Sequence, residues 1–314
     1  MEAQDQVRSG LSGSCLLLGG QPRSGTTLLS SILRATPGHF QAFELHPRKP
    51  SFVVGLDGRY TRNIMKGLGL PPEEYDAIVA SVTREGLRTT MNLGAWTGPK
   101  EDVSAEELTG RETDRFEEEL VARGELVRRL MARAAAIAGK RSWGFKILGD
   151  MRYADIYQKA FPGAVFLLLL RDPRDQVLSI LELNKQRLAR GQRLFYAGLA
   201  EAAAGWREAI AESRAALRRH GLRFAETRYE DLVSDTDREL DRLGALLGLD
   251  LRAGVDYRSD GFVEEHTKRF AHHDNLRNSI NASSVGKWRT ALSAEEQAVV
   301  RSEVGPLMAE LGYV

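Results

Sequence analysis

The chain has 314 residues, of which 42% are hydrophobic, so it can bury one large core or two small ones, and we expect a single domain. Its formal net charge is +1, from 44 basic and 43 acidic residues, which excludes an overall field that attracts nucleic acid or an anionic membrane. Any anion site must therefore be local. The single cysteine, Cys15, excludes a disulfide within the chain, and we expect it to be a buried core residue in a reducing, cytoplasmic compartment.

A strand, a glycine turn and a helix open the chain at residues 16–29, LLLGGQPRSGTTLL. Gly20 and Gly25 match the glycines of the phosphate-binding pattern G-x-x-x-x-G-K-[ST]. Thr27 stands at its hydroxyl position, but Thr26 replaces its lysine. Such a loop presents backbone N–H groups to a phosphate at the start of a helix. Because kinases use the lysine together with magnesium, its absence predicts a phosphate-like ligand other than ATP.

The next elements are a short strand and a long helical stretch. The first helix should end near Ala35, because Pro37 disfavours helical geometry in the residue before it, and a strand is expected at 40–43. Residues 47–140 contain no convincing strand, but an amphipathic pattern at 115–137 indicates a helix. We interpret 47–140 as a helical insertion on the acceptor side of the protein.

Three further apolar runs, at 143–147, 165–170 and 223–227, indicate strands that alternate with helical patterns at 172–190 and 199–220. This order predicts an α/β fold with a doubly wound parallel sheet. The apolar runs are much too short to span a bilayer, and residues 1–14 contain no pattern of a secretory signal, so we expect a soluble protein without membrane contacts. Its richness in Ala, Arg and Gly suggests a bacterial source.

The last predicted helix opens on a capping box, Ser293-Ala294-Glu295-Glu296, and runs to about Leu311.

Charged residues stand near the ends of the predicted strands. Lys146 lies in an otherwise apolar strand, where burying its charge is costly without an anionic partner. Arg171 follows the strand 165–170. Glu44 follows the second strand, at the carboxyl edge where parallel sheets bind ligands, and is our candidate general base. An exposed structural carboxylate is the alternative interpretation of Glu44.

Two segments together resemble sulfotransferases that use 3′-phosphoadenosine 5′-phosphosulfate (PAPS). PRSGTTLL at 22–29 is similar to their 5′-phosphosulfate loop, and R-D-P-R-x-x-x-x-S at 171–179 is similar to their 3′-phosphate motif. The layout is closest to bacterial sulfotransferases and protein-tyrosine sulfotransferases. The resemblance implies a fold like that of P-loop NTPases, formed here by one domain, 1–314, with 47–140 inserted after the second strand.

The resemblance also implies roles for individual residues. Arg23 supplies the cation nearest the transferring group, Lys146 neutralises the departing phosphate, and Tyr229 approaches the adenine or its ribose. In SSVGKWR at 283–289, similar to the family's G-x-W motif, Lys287 contacts a phosphate and Trp288 packs against the loop. The residues implied in binding PAPS are Arg23, Ser24, Gly25, Thr26, Thr27, Arg171, Ser179, Tyr229, Lys287 and Trp288.

The general base is implied by two different branches of the family. Protein-tyrosine sulfotransferases place a catalytic glutamate twenty-one residues after the loop arginine, which is the separation of Glu44 from Arg23. Cytosolic small-molecule sulfotransferases use histidine, which makes His46 the alternative. Lys146 departs from the usual pattern, because Ile147 and Leu148 follow it where the family more often has threonine and proline.

The predicted activity is transfer of a sulfuryl group from PAPS to a hydroxyl, or less readily an amine, with PAP as product and no metal ion. His272 and His273 lack further ligands at metal-site spacing. The alternatives are a P-loop kinase and a non-catalytic PAP-binding protein. The acceptor, whether a small molecule, a carbohydrate or a peptide, and the formation of a homodimer stay open.

Overall fold

The computed structural model describes residues 15–44, 69–82, 110–192, 194–260, 262–269 and 275–313. Within these ranges one sheet has five strands: β1 (Cys15–Gly19), β2 (His39–Glu44), β3 (Ser142–Leu148), β4 (Val165–Leu170) and β5 (Phe224–Arg228). The strands lie in the order β2-β3-β1-β4-β5, and each neighbouring pair is parallel. The structure therefore confirms the predicted α/β fold with a parallel sheet.

Helices cover both faces of this sheet. Before β3 lie α1 (Thr26–Ala35), α2 (Pro72–Val82) and α3 (Gly110–Ile137). A 3₁₀ helix (Gly149–Tyr153) and α4 (Ala154–Ala160) follow β3. The remaining described α-helices are α5 (Pro173–Ala189), α6 (Leu199–Arg219), α7 (Tyr229–Ser234), α8 (Thr236–Leu247), α9 (Phe262–Arg269), α10 (Trp288–Ala291) and α11 (Ala294–Glu310), and two 3₁₀ helices lie at Arg252–Gly254 and Tyr257–Asp260.

Alternation along β1 divides the interior into two cores. Leu17 belongs to a core formed with α3, α4, α6 and α11, whereas Leu16 and Leu18 belong to a core formed with α1 and α8. Successive strand residues point to opposite faces, so a sheet covered on both sides has strands that are apolar throughout. Cys15 is also buried, and burial raises the pKa of its thiol to about 12.

The described part of the predicted insertion is helical. It comprises α2 and α3, and α3 begins five residues earlier than the pattern at 115–137 indicates. Arg133 on α3 donates through Nε to Glu74 on α2 over 2.9 Å, which joins the two helices. Leu126 and Leu130 of α3 are buried in the core beneath them.

The last helix opens as the sequence predicts. The backbone N–H of Glu296 donates to Ser293 Oγ over 3.2 Å, and the N–H of Ser293 donates to Glu296 Oε2 over 2.8 Å. This reciprocal pair satisfies backbone donors that the first turn of a helix leaves free.

Across the ranges that the structure describes, none of the helices is long and apolar enough to cross a bilayer.

Candidate active site

The site begins at the loop between β1 and α1. Gly20, Arg23 and Gly25 have φ angles of 152°, 72° and 101°. A Cβ atom on Gly25 would lie 2.5 Å from Tyr229 Cδ2, so this position accepts only glycine in this arrangement. Gly25 supplies no side-chain cap to α1, which leaves the N–H groups of its first turn available to an anion. The loop therefore has the geometry of a phosphate cradle.

Arg171, at the end of β4, connects this loop to the C-terminal part of the site. It is 7% exposed, and it donates to the carbonyl oxygens of Arg23 over 2.8 Å and of Ser284 over 2.9 Å. Its guanidinium lies 4.6 Å from the centroid of the Tyr229 ring. Its buried Nε has no hydrogen-bond partner among the described residues, which makes it a donor suited to an anionic ligand.

A second guanidinium lies nearby. Arg23 donates from Nε to the hydroxyl of Ser179 on α5 over 3.0 Å. Burial, and secondarily the charge of Arg171, lower the pKa of Arg23. Two guanidinium groups that repel one another in this way favour binding of a ligand with several negative charges.

Lys146 lies on the other side of the loop. It is 2% exposed, and its Nζ donates to Thr27 Oγ1 over 3.4 Å. Its backbone is the register partner of Leu18 on β1 and of Glu44 on β2. The parallel strands thus bring Glu44 beside Lys146 at the carboxyl edge of the sheet. The side chain of Glu44 and the whole of His46 lie outside what the structure describes.

Residues 284–288, referred to as the 284–288 segment, form another wall of the site. Its Ser284 carbonyl binds Arg171, and Lys287 borders the cavity. The centroid of the Trp288 ring lies 3.9 Å from the guanidinium carbon of Arg174 and 4.6 Å from that of Arg289. Trp288 therefore packs against these two arginines, and it does not border the cavity. Ser24 is fully buried and does not border the cavity, and its Oγ has no hydrogen-bond partner in the part of the chain that the structure describes.

These walls enclose a cavity of about 860 Å³. Nine residues singled out from the sequence border it: Arg23, Gly25, Thr26, Thr27, Lys146, Arg171, Ser179, Tyr229 and Lys287. No group of side chains suited to a metal ion occurs among the described residues. The cations and the bare helix start fit a ligand that carries phosphate groups at two places.

Carboxylates that no sequence motif indicated also border this cavity. Glu182 comes from α5, and Glu201, Glu208 and Glu212 come from α6, where their spacing places them on one helix face. Glu212 forms an ion pair with Arg152, whose Nη1 lies 3.6 Å from Glu212 Oε2. Asp175, which directly follows R-D-P-R in the motif at 171–179, was also not predicted, because its contacts are with a distant segment.

A model of the Sulfotransferase family matches residues 16–253, which is most of the chain. The chain therefore belongs to this family, and it is an enzyme of the PAPS-dependent sulfotransferase class. This assignment favours the predicted sulfotransferase over the kinase and the non-catalytic alternatives.

Solved structures of sulfotransferases resemble the chain at low identity. The sulfotransferase domain of the Synechococcus PCC 7002 olefin synthase is 19% identical with a TM-score of 0.51, covering 92% of this chain and 94% of that one. The sulfotransferase domain from the curacin biosynthetic pathway is 17% identical with a TM-score of 0.49, covering 93% and 97%. Sulfotransferase STF1 from Mycobacterium tuberculosis H37Rv is 18% identical with a TM-score of 0.45, covering 82% and 76%. The first of these likenesses supports the shared fold. A comparison with curated proteins finds no match.

Proposed function

We propose that this protein transfers the sulfuryl group of PAPS to a hydroxyl group of its acceptor, with Glu44 as general base, and releases PAP. The observation that carries this proposal is the alignment of Glu44 with Lys146 on neighbouring strands, with Lys146 Nζ 3.4 Å from Thr27 Oγ1 of the phosphate cradle. A base and a cation beside one anion site are what a transfer between two oxygens requires.

The described residues divide into two sets that would hold PAPS. Thr26, Thr27 and the N–H groups at the start of α1 suit the 5′-phosphosulfate, because they face the cavity beside Lys146. The second set suits the 3′-phosphate and consists of Arg23, Arg171, Ser179 and Lys287. Bound PAPS supplies a sulfuryl group attached to a phosphate that can leave.

The roles of the protein follow from charge. Glu44 takes the proton of the acceptor hydroxyl as its oxygen bonds to sulfur. Lys146 stabilises the negative charge that the departing phosphate oxygen gains when its bond to sulfur breaks. Lys146 is buried, so water screens its charge little and its effect on the departing oxygen is strong. The sulfuryl group thus passes intact from the phosphate oxygen to the acceptor oxygen, and the proton of the acceptor hydroxyl ends on Glu44.

The acceptor belongs, in this proposal, on the side of α2 and α3, within one domain whose 47–140 region supplies specificity. The described part of this region consists of α2 and α3, joined by the hydrogen bond from Arg133 to Glu74, and none of the described residues of these two helices borders the cavity. A small molecule, a carbohydrate and a peptide are the acceptor classes to be compared.

Calorimetric titration with PAP tests the nucleotide site, and labelled PAPS offered with a panel of hydroxylated acceptors tests the transfer. Arg171→Ala should weaken PAP binding roughly 10- to 100-fold, because it removes charge-assisted hydrogen bonds. Lys287→Ala should weaken it less, since Lys287 is exposed. Arg238→Ala is the control: it removes an arginine that pairs with Asp235 at the surface, and it should leave PAP affinity unchanged. Wild-type protein that does not bind PAP would contradict the proposal.

A further inference from the structure

Asp175 is a buried carboxylate in the wall of a cavity that is built for anions. It lies in the first turn of α5, is 2% exposed, and borders the cavity with Arg171 and Lys287. A negative charge at this place repels a phosphate ligand, so its direct electrostatic effect opposes nucleotide binding. Its hydrogen bonds indicate another role.

Both carboxylate oxygens of Asp175 accept backbone N–H groups of the 284–288 segment. Gly286 N donates to Oδ2 over 2.6 Å, and Trp288 N donates to Oδ1 over 2.9 Å. Gly286 has a φ angle of 74°, which residues with side chains rarely adopt, and this turn brings both N–H groups to one carboxylate. Hydrogen bonds to a buried charge are stronger than neutral ones.

Arg174, the residue before Asp175 in α5, reinforces the same attachment. Asp172 accepts hydrogen bonds from Arg174 Nε over 2.9 Å and from its terminal nitrogen over 2.7 Å. The guanidinium held in this way lies 3.9 Å from the centroid of the Trp288 ring. The start of α5 therefore holds the 284–288 segment by two carboxylate bonds and one cation–π contact.

This attachment extends to the groups that face the nucleotide. The Ser284 carbonyl of the segment accepts from Arg171, and Lys287 stands between the two N–H groups that Asp175 binds. We infer that Asp175 is a positioning residue for the nucleotide site, which fixes the 284–288 segment and thereby places Arg171 and Lys287 against the ligand. The inference rests on the proposed binding of PAPS.

The direction in which one substitution changes PAP affinity distinguishes this positioning role from a direct electrostatic effect. Asp175→Asn removes a negative charge from an anion site, which by itself strengthens PAP binding. It also turns an amide N–H group toward a backbone N–H group, which breaks one attachment of the segment. If Asp175 positions the segment, calorimetry will show PAP binding weakened roughly 10- to 100-fold.

Glu182→Gln is the matched control, because Glu182 borders the same cavity but is exposed and lies outside the attachment of the segment. This variant should bind PAP as tightly as the wild type or more tightly. Equal or tighter binding by Asp175→Asn, with a wild type that binds PAP, overturns the inference. A wild type that does not bind PAP overturns the proposed function instead.

Hydrogen exchange of the wild type keeps the inference testable if Asp175→Asn does not fold. The amides of Gly286 and Trp288 should exchange at least about 100-fold more slowly than in an unstructured peptide, because both donate to a buried carboxylate. Exchange at the unstructured rate overturns the inference.

Discussion

The side chains of Arg23 and Ser179 meet across 156 positions of the chain, with Arg23 Nε donating to Ser179 Oγ over 3.0 Å. The family resemblance assigns Arg23 to the transferring group and Ser179 to the 3′-phosphate. In the structure, the guanidinium of Arg23 lies near Arg171 on the side of α5. This contact supports a shared role for Arg23 and Ser179 in binding the nucleotide.

Ser179→Ala should therefore weaken PAP binding about 5-fold, since one hydrogen bond that orients a guanidinium is lost. In an Arg23→Ala background, Ser179→Ala should have a smaller effect, because the two side chains act together. Titration calorimetry on the four proteins measures the coupling. Ser302→Ala, an exposed hydroxyl on α11, is the control, and effects that multiply independently would contradict a shared role.

Glu44→Gln should preserve PAP binding within about 2-fold and lower turnover by a factor of about 10² to 10⁴, which is the usual contribution of a general base. The same measurements on His46→Gln decide between the two candidate bases. Glu264→Gln, which changes an exposed glutamate paired with Lys268, controls for the loss of a surface carboxylate. Unchanged turnover in Glu44→Gln would remove that residue from the base role.

Lys146→Met should reduce turnover about 10²-fold or more, because methionine fills the same space without the cation that stabilises the departing phosphate. PAP affinity should fall less than turnover, since the other cations of the site remain. Lys159→Met is the control, because Lys159 is exposed, pairs with Glu117 and does not border the cavity. Rates with labelled PAPS and the accepted acceptor provide the measurement, and a variant as active as wild type contradicts this role.

Gly25→Ala should destabilise the protein by at least about 1 to 3 kcal/mol and abolish PAP binding. Its φ angle of 101° is unfavourable for alanine, and the added methyl group would collide with the Tyr229 ring. Gly139→Ala is a matched control, because Gly139 also has a positive φ angle, 66°, but nothing lies within 4 Å of the added Cβ. Urea unfolding should show the smaller loss for Gly139→Ala, with PAP binding retained. Equal losses would mean that Tyr229 does not restrict this position.

The stability of the protein should fall as the pH decreases from about 6.5 toward 4. His39 is fully buried, and burial lowers its pKa from 6.5 to about 4. In this interval the unfolded chain binds a proton at His39 that the folded protein does not bind, which favours unfolding. The contribution between pH 7 and pH 5 is about 2 kcal/mol.

Urea unfolding of His39→Gln at these two pH values tests the assignment. The difference in its free energy of unfolding should be smaller than that of the wild type by this amount, whatever the variant's absolute stability. Ser302→Ala, which changes an exposed hydroxyl that does not titrate in this pH range, should retain the wild-type pH dependence. A wild-type pH dependence in His39→Gln would assign the effect to other groups.

Much of the fold follows from local patterns. The strand β4 occupies the predicted residues 165–170, α1 ends at the predicted Ala35, and the Ser293 capping box is present. Apolar runs, a proline and a cap determine these elements through contacts within a few residues. The start of α3 at Gly110 was not predicted, because residues 110–114, GRETD, contain no apolar residue and so do not extend the amphipathic pattern.

The sequence by itself determined the parallel sheet, the glycine loop and the cations that end its strands, since each depends on residue type and short spacing. The tertiary structure alone decided that Arg23 contacts Ser179, that Asp175 binds the 284–288 segment, and that glutamates of α5 and α6 border the cavity. These contacts join residues far apart in the chain, and their geometry is fixed by how the helices pack on the sheet. Local pattern carries no information about that packing.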